Sequence, residues 1–171
     1  MNQARSSQAT LEILKEAILL ERRGHAFYKK VAGQADDAAV KEFFEMMSLE
    51  ELEHIKILEA QFSSFARHKS FNHVAPGPAL GAPQAKHVLN AAIRERIAAA
   101  GFEAAAISAA MLMEERAIAL YSQRAAAAKD PAEEALYRWL AQWERTHLDY
   151  LVALDREIKE TIWNDQHFWP F

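Results

Sequence analysis

Six residues of metal-ligating type recur in the two halves of this chain. Glu21, Glu51 and His54 fall in the first half, and Glu114, Glu144 and His147 each follow their counterpart by 93 positions. Two tyrosines, Tyr28 and Tyr121, keep the same offset. Carboxylates and imidazoles are oxygen and nitrogen donors for divalent cations, and the four Glu charges are what two such ions neutralise. Without ions, carboxylates gathered in an apolar interior are strongly destabilising or shift their pKa values. The chemistry that this set suits is a two-metal centre. Carboxylate and imidazole ligands without thiolate favour iron, or manganese at one position, over a structural zinc site.

The elements that must position these residues are helices. Few glycines and prolines, abundant Ala, Leu and Glu, and no alternating apolar pattern predict an all-α chain. The first helix is predicted from a cap at Thr10 to about Ala32, with an inward stripe of Leu11, Leu14, Ile18, Glu21, His25 and Tyr28. After a turn at Asp36 and Asp37, the second carries Phe43, Phe44, Met47, Glu51, His54, Ile55, Leu58 and Phe62 inward. Hairpin one thus spans about 10–67. Residues 73–83 (HVAPGPALGAP) mark a crossover placed at about 68–85. An additional amphipathic helix follows at about 86–100, carried by Val88, Leu89, Ile93 and Ile97.

Hairpin two is predicted over about 102–160. Its first helix runs from Phe102 to Ala128 with Ile107, Met111, Glu114, Ile118 and Tyr121 inward. Asp130, Pro131 and Glu133 then read as an N-cap, a first-turn proline and a capping-box partner for the last helix. That helix carries Leu136, Leu140, Glu144, His147, Leu148 and Leu151 toward Ile158. Two hairpins joined by one long connection predict a four-helix bundle of the ferritin-like kind, a single domain over 1–171 with a tail at 161–171.

The spacing also puts the acids at one height. Glu21 and Glu51 are equidistant from position 36, and Glu114 and Glu144 from position 129, both inside the hairpin turns. Each pair therefore lies about 22 Å from its turn at the helical rise. Each Glu-x-x-His step, Glu51/His54 and Glu144/His147, sets two donors on one helical face.

The segments LERRGHAFY, EELEH, MEERAIALY and WERTH, in that order across positions 20 to 147, resemble the four helix signatures of the rubrerythrin-like members of the ferritin-like superfamily. One Glu from each of two helices and Glu-x-x-His from the other two is the pattern of di-iron carboxylate bundles. The resemblance implies that Glu51 and Glu144 bridge two irons. Glu21 and Glu114 are then terminal carboxylates, and His54 and His147 complete one iron each. It implies a non-haem di-iron oxidoreductase reacting with peroxide or O₂. Two departures stand out. Rubrerythrin carries a Cys-ligated rubredoxin domain, and this chain has no cysteine, so electrons must come from a separate donor protein. Peroxide-reducing members place an extra Glu at the position of Ala117. Bacterioferritin shares the ligand order, so ferroxidase activity with iron storage or detoxification is the alternative. A metal-binding helical interaction module without catalysis is a third reading.

Around the six, the repeat sorts the other candidates. Tyr28 and Tyr121 lie about 10.5 Å beyond their own helix's Glu, so each is expected to hydrogen-bond a neighbouring helix's carboxylate. His25 stands on the ligand face and admits an extra ligand or proton donor, although a histidine satisfied in the core is the simpler expectation. Glu50 and Glu53 have Trp143 and Thr146 as counterparts and are expected to be solvated or peripheral, as is Glu115. Gly24 and Ala117 correspond, and leave room near the metals or serve close packing. The aromatic tail (Trp163, Phe168, Trp169, Phe171) is expected to pack on the bundle or across a homodimer. A formal charge of −4 argues against nucleic acid, and no stretch reads as a membrane span or signal peptide, so a cytoplasmic protein is expected.

Overall fold

The computed structural model describes residues 2–36, 38–73 and 101–165, and these form an all-helical bundle. Helix α1 spans Asn2–Gln34, α2 Ala38–His68, α3 Gly101–Ala127 and α4 Pro131–Asp165. At 27 to 35 residues each, they are about 40–50 Å long. Helix α1 begins earlier than predicted, which places Thr10 inside it rather than at its cap. Residues 2–9 hold neither proline nor glycine, so nothing breaks the helix there. Helix α4 likewise runs past Ile158 to Asp165. The additional helix at 86–100, most of the crossover, and the side chains of the aromatic tail lie outside the described residues.

The helix ends follow local chemistry. Asp130 Oδ1 accepts the Ala132 N–H at 2.8 Å, the N-cap bond that its position ahead of Pro131 predicts. Helix α2 ends differently, without glycine: Lys69 takes φ 57° and donates its N–H to Phe65 O at 3.0 Å. The chain is then fastened back by Gln61, which exchanges two hydrogen bonds with the Asn72 backbone, while Phe71 packs on Phe65.

Helices α1 and α2 pair as one antiparallel hairpin, α3 and α4 as the other. Across the hairpins, Tyr28 reaches Glu114 and Tyr121 reaches Glu21, so a step forward along α1 is a step back along α3. The 93-residue offset extends to burial. Leu14 and Ile107, Ala17 and Ala110, Phe44 and Tyr137, Met47 and Leu140, and Leu58 and Leu151 are all buried. Several stripe residues (Ile18, Phe62, Met111, Ile118, Leu148) are only half-buried, at the edge of the inward face.

The apolar core is two plugs rather than one. The first gathers Tyr28, Val31, Phe43, Phe44, Met47, Ile107 and Leu151; the second gathers Leu14, Leu58, Phe65, Tyr121, Leu136, Tyr137 and Leu140. The repeat exchanges them: Leu14 of one plug corresponds to Ile107 of the other, and Phe44 to Tyr137. Between them lies a layer of buried acids and imidazoles. No helix among the described residues is long and apolar enough to cross a membrane.

Candidate metal centre

Each helix contributes to the polar layer at its mid-length. Glu21 comes from α1, Glu51 and His54 from α2, Glu114 from α3, and Glu144 and His147 from α4; none exceeds 3% exposure. They form two overlapping groups. Glu21, Glu51, His54 and Glu144 have donor atoms within 4.8 Å of one another, and so do Glu51, Glu114, Glu144 and His147. Glu51 and Glu144 belong to both. Both imidazoles turn Nδ1 to the acids. His54 Nδ1 lies 2.9 Å from Glu144 Oε1 and 3.3 Å from Glu21 Oε2. His147 Nδ1 lies 3.1 Å from Glu144 Oε2, 3.5 Å from Glu51 Oε1 and 3.7 Å from Glu114 Oε1.

The donor set fits divalent cations on two counts. Glu144 Oε1 is buried and has no hydrogen bond, since its approach to His54 Nδ1 lacks bonding geometry. A buried carboxylate oxygen needs a cation or donor against it, and here the His54 imidazole, 2.9 Å away, stands in that place. Protons also stand where cations would. Burial and the charges of Glu21 and Glu144 push Glu51 well above the carboxylate range. Burial and the Glu144 charge raise Glu114 to about 7. Burial favours neutral His54, but Glu144 and Glu21 outweigh it and raise the imidazole to about 10. Glu144 is held low despite its burial, because His54 and His147 flank it.

Two tyrosines fix the outer acids. Tyr28 donates its hydroxyl to Glu114 Oε1, and Tyr121 donates to Glu21 Oε1. Both phenols are pushed well above their ordinary pKa, by burial first and then by neighbouring carboxylates, so they remain donors.

His25 stands apart from both ligand groups. Its Nδ1 lies 2.8 Å from the Ser48 carbonyl, and because a carbonyl only accepts, Nδ1 carries the proton. Ser48 Oγ approaches the same nitrogen at 3.0 Å. It fastens α1 to α2. Glu53 pairs with Lys56 near the surface, and Glu115 is exposed.

Glu50 overturns its expectation. It is 5% exposed, and its Oε2 lies 2.5 Å from His147 Nε2 and 3.1 Å from the Trp143 indole nitrogen. These bonds from His147 and Trp143 outweigh burial and hold its pKa low. The comparison with Trp143 misled because it assumed that equivalent positions share a role. Helical spacing held the better signal: Glu50 lies three residues after Met47 and four before His54, both inward.

Gly24 and Ala117 sit between α1 and α3, where with Leu20, Glu21, Glu51, Met113 and Glu114 they enclose about 10 Å³. That is room for about one water-sized molecule.

Comparison with known proteins gives one positive result: the family model described as Rubrerythrin matches residues 12–155. Neither the curated proteins nor the solved structures searched contain a match.

Proposed function

This chain belongs to the rubrerythrin family of di-iron carboxylate proteins, and from that premise we propose that it is a non-haem di-iron oxidoreductase acting on peroxide or O₂. The observation that carries the reading is the sharing of Glu51 and Glu144 by two ligand groups that each have their own imidazole and outer Glu. A single-ion site needs no second histidine and no shared pair. In this reading Glu21 and His54 would hold one iron and Glu114 and His147 the other, with Glu51 and Glu144 available to both. Manganese is admitted at either position by the same donors. Bound there, the two ions would supply the redox chemistry.

The chain's own residues do the remaining work. Tyr28 and Tyr121 each occupy one oxygen of an outer carboxylate and leave the other free to bind. The two apolar plugs exclude bulk water from both sides of the layer. The small space beside Gly24 and Ala117 borders Glu21, Glu51 and Glu114, and suits the approach of a molecule the size of peroxide or O₂. Ala117 leaves that space without a further carboxylate. Electrons come from a separate donor protein, and the protein works as a small oligomer such as a homodimer.

Anaerobic loading with Fe(II) tests this reading. About two irons per chain, oxidised rapidly by peroxide and restored by reductant, are expected. Uptake of one iron or none refutes the di-iron reading. A large hollow assembly in solution would instead favour iron storage.

A further inference from the structure

The repeat that builds the centre is broken at one pair of positions, and the break falls on the far side of the two imidazoles. Glu50 and Trp143 occupy equivalent places in the two hairpins, yet one is an acceptor and the other a donor. Glu50 Oε2 meets His147 Nε2 at 2.5 Å and also accepts the Trp143 indole N–H. The equivalent neighbour of His54 is Trp143 itself, whose ring stands edge-on at 4.8 Å between centroids and 87° between planes. Trp139 also packs on the His54 ring, at 6.1 Å between centroids. An indole offers only a donor N–H. His54 Nε2 is accordingly buried with no hydrogen-bond partner.

We propose that Glu50 makes the two metal positions unequal: the ion at His147 binds more tightly and is taken up first, and the ion at His54 is the labile one. This rests on the two-metal reading above. A histidine that donates one ring N–H to a carboxylate has its tautomer and orientation fixed, and its other nitrogen becomes a stronger donor. Glu50 does this for His147, whose Nδ1 is turned toward Glu144, Glu51 and Glu114. Trp143 holds Glu50 in position, so the arrangement is already in place before an ion arrives. His54 has no such anchor: beyond the carboxylates at Nδ1 its ring meets only His147, Trp143 and Trp139, and Nε2 has no polar partner. Glu50 is a positioning residue, acting through His147.

Titration of the full, metal-free chain with Co(II), followed by calorimetry and visible absorption, tests the proposal. Two steps are expected, with dissociation constants separated by about tenfold to a hundredfold. With ¹⁵N-labelled histidine, the first equivalent should perturb the ring resonances of His147 before those of His54. Glu50→Gln keeps an acceptor for Nε2–H but removes the charge, so the tighter step should weaken about tenfold while the looser step stays unchanged. A merely structural role for Glu50 would weaken both steps together, and that result overturns the proposal. So does simultaneous or His54-first perturbation in the wild-type protein, a reading that needs no variant to fold. Two ions bound in one indistinguishable step overturn this inference and leave the two-metal centre standing. No uptake at all overturns both.

Discussion

Replacing Gly24 with alanine separates the geometry of the centre from the stability of the bundle. Gly24 is buried on α1, and a methyl built there meets Glu51 Oε2 at 2.9 Å, Cδ at 3.1 Å and Cγ at 3.4 Å. The first distance is too short for contact, so the carboxylate must move. Glu51 is 3% exposed and cannot swing out into water. Two opposing terms then act on the metal-free fold. Alanine favours the helix by about 1 kcal/mol over glycine, while overpacking a filled interior costs about 1–3 kcal/mol. The net change in stability is therefore small, from near zero to a loss of about 2 kcal/mol. Metal binding should respond more strongly. Glu51 belongs to both ligand groups, so its displacement should weaken both ions, by on the order of tenfold or more. The assay pairs chemical denaturation of the metal-free protein with Co(II) titration of the same sample. Ala117→Gly is the matched control, because Ala117 holds the equivalent position on α3. It should lose about 1 kcal/mol of stability through helix propensity and keep its metal affinity. Wild-type affinity for both ions in Gly24→Ala would refute the reasoning, since Glu51 would then not depend on the bare backbone of α1.

Further outcomes follow from the same layer. Tyr28→Phe leaves Glu114 Oε1 without its buried donor and should lower metal-free stability by about 1–3 kcal/mol; Tyr121→Phe should do the same through Glu21. Denaturation midpoints equal to wild type would rule this out. The metal-free protein should become less stable as pH rises. Glu114 is raised from 4.5 to about 7 in the folded state, so its contribution is complete below 4.5 and lost by about 7. His54 is raised from 6.5 to about 10, so its contribution is complete below 6.5 and falls away toward 10. Melting temperature recorded across pH 5 to 9 at constant ionic strength, on chelator-treated protein, should therefore decline; a flat or rising profile contradicts the protonated layer. Filling the centre requires those protons to leave, so metal uptake should release protons, measurable as a dependence of binding heat on the buffer's ionisation enthalpy.

Much of this layer could be read from the chain before its fold. Helical periodicity put Glu21, Glu51, Glu114 and Glu144 on inward faces, and reflection about the turns at 36 and 129 put them at one height. Both are local relations, determined by 3.6 residues per turn and by the antiparallel sense of a short hairpin. The same reasoning aimed Tyr28 and Tyr121 at carboxylates on other helices, though it could not say which. Glu50 escaped it because its importance depends on what faces it across α2 and α4. Its spacing from Met47 and His54 marks an inward face, but only the docking of α2 on α4 sets it against His147. Helix α1 outran its predicted cap for a different reason: Thr10 can cap a helix, but only a break in the preceding residues would make it do so.

By itself, then, the sequence determined four helices, their inward faces, and the common level of the four glutamates, since these depend on spacing along the chain. Tertiary structure alone decided that α1 packs antiparallel to α3, that Glu51 and Glu144 lie in both ligand groups, and that Glu50 serves His147 while His54 meets tryptophan. Those relations join residues from separate hairpins. They depend on how two amphipathic surfaces dock, which no period within one helix encodes.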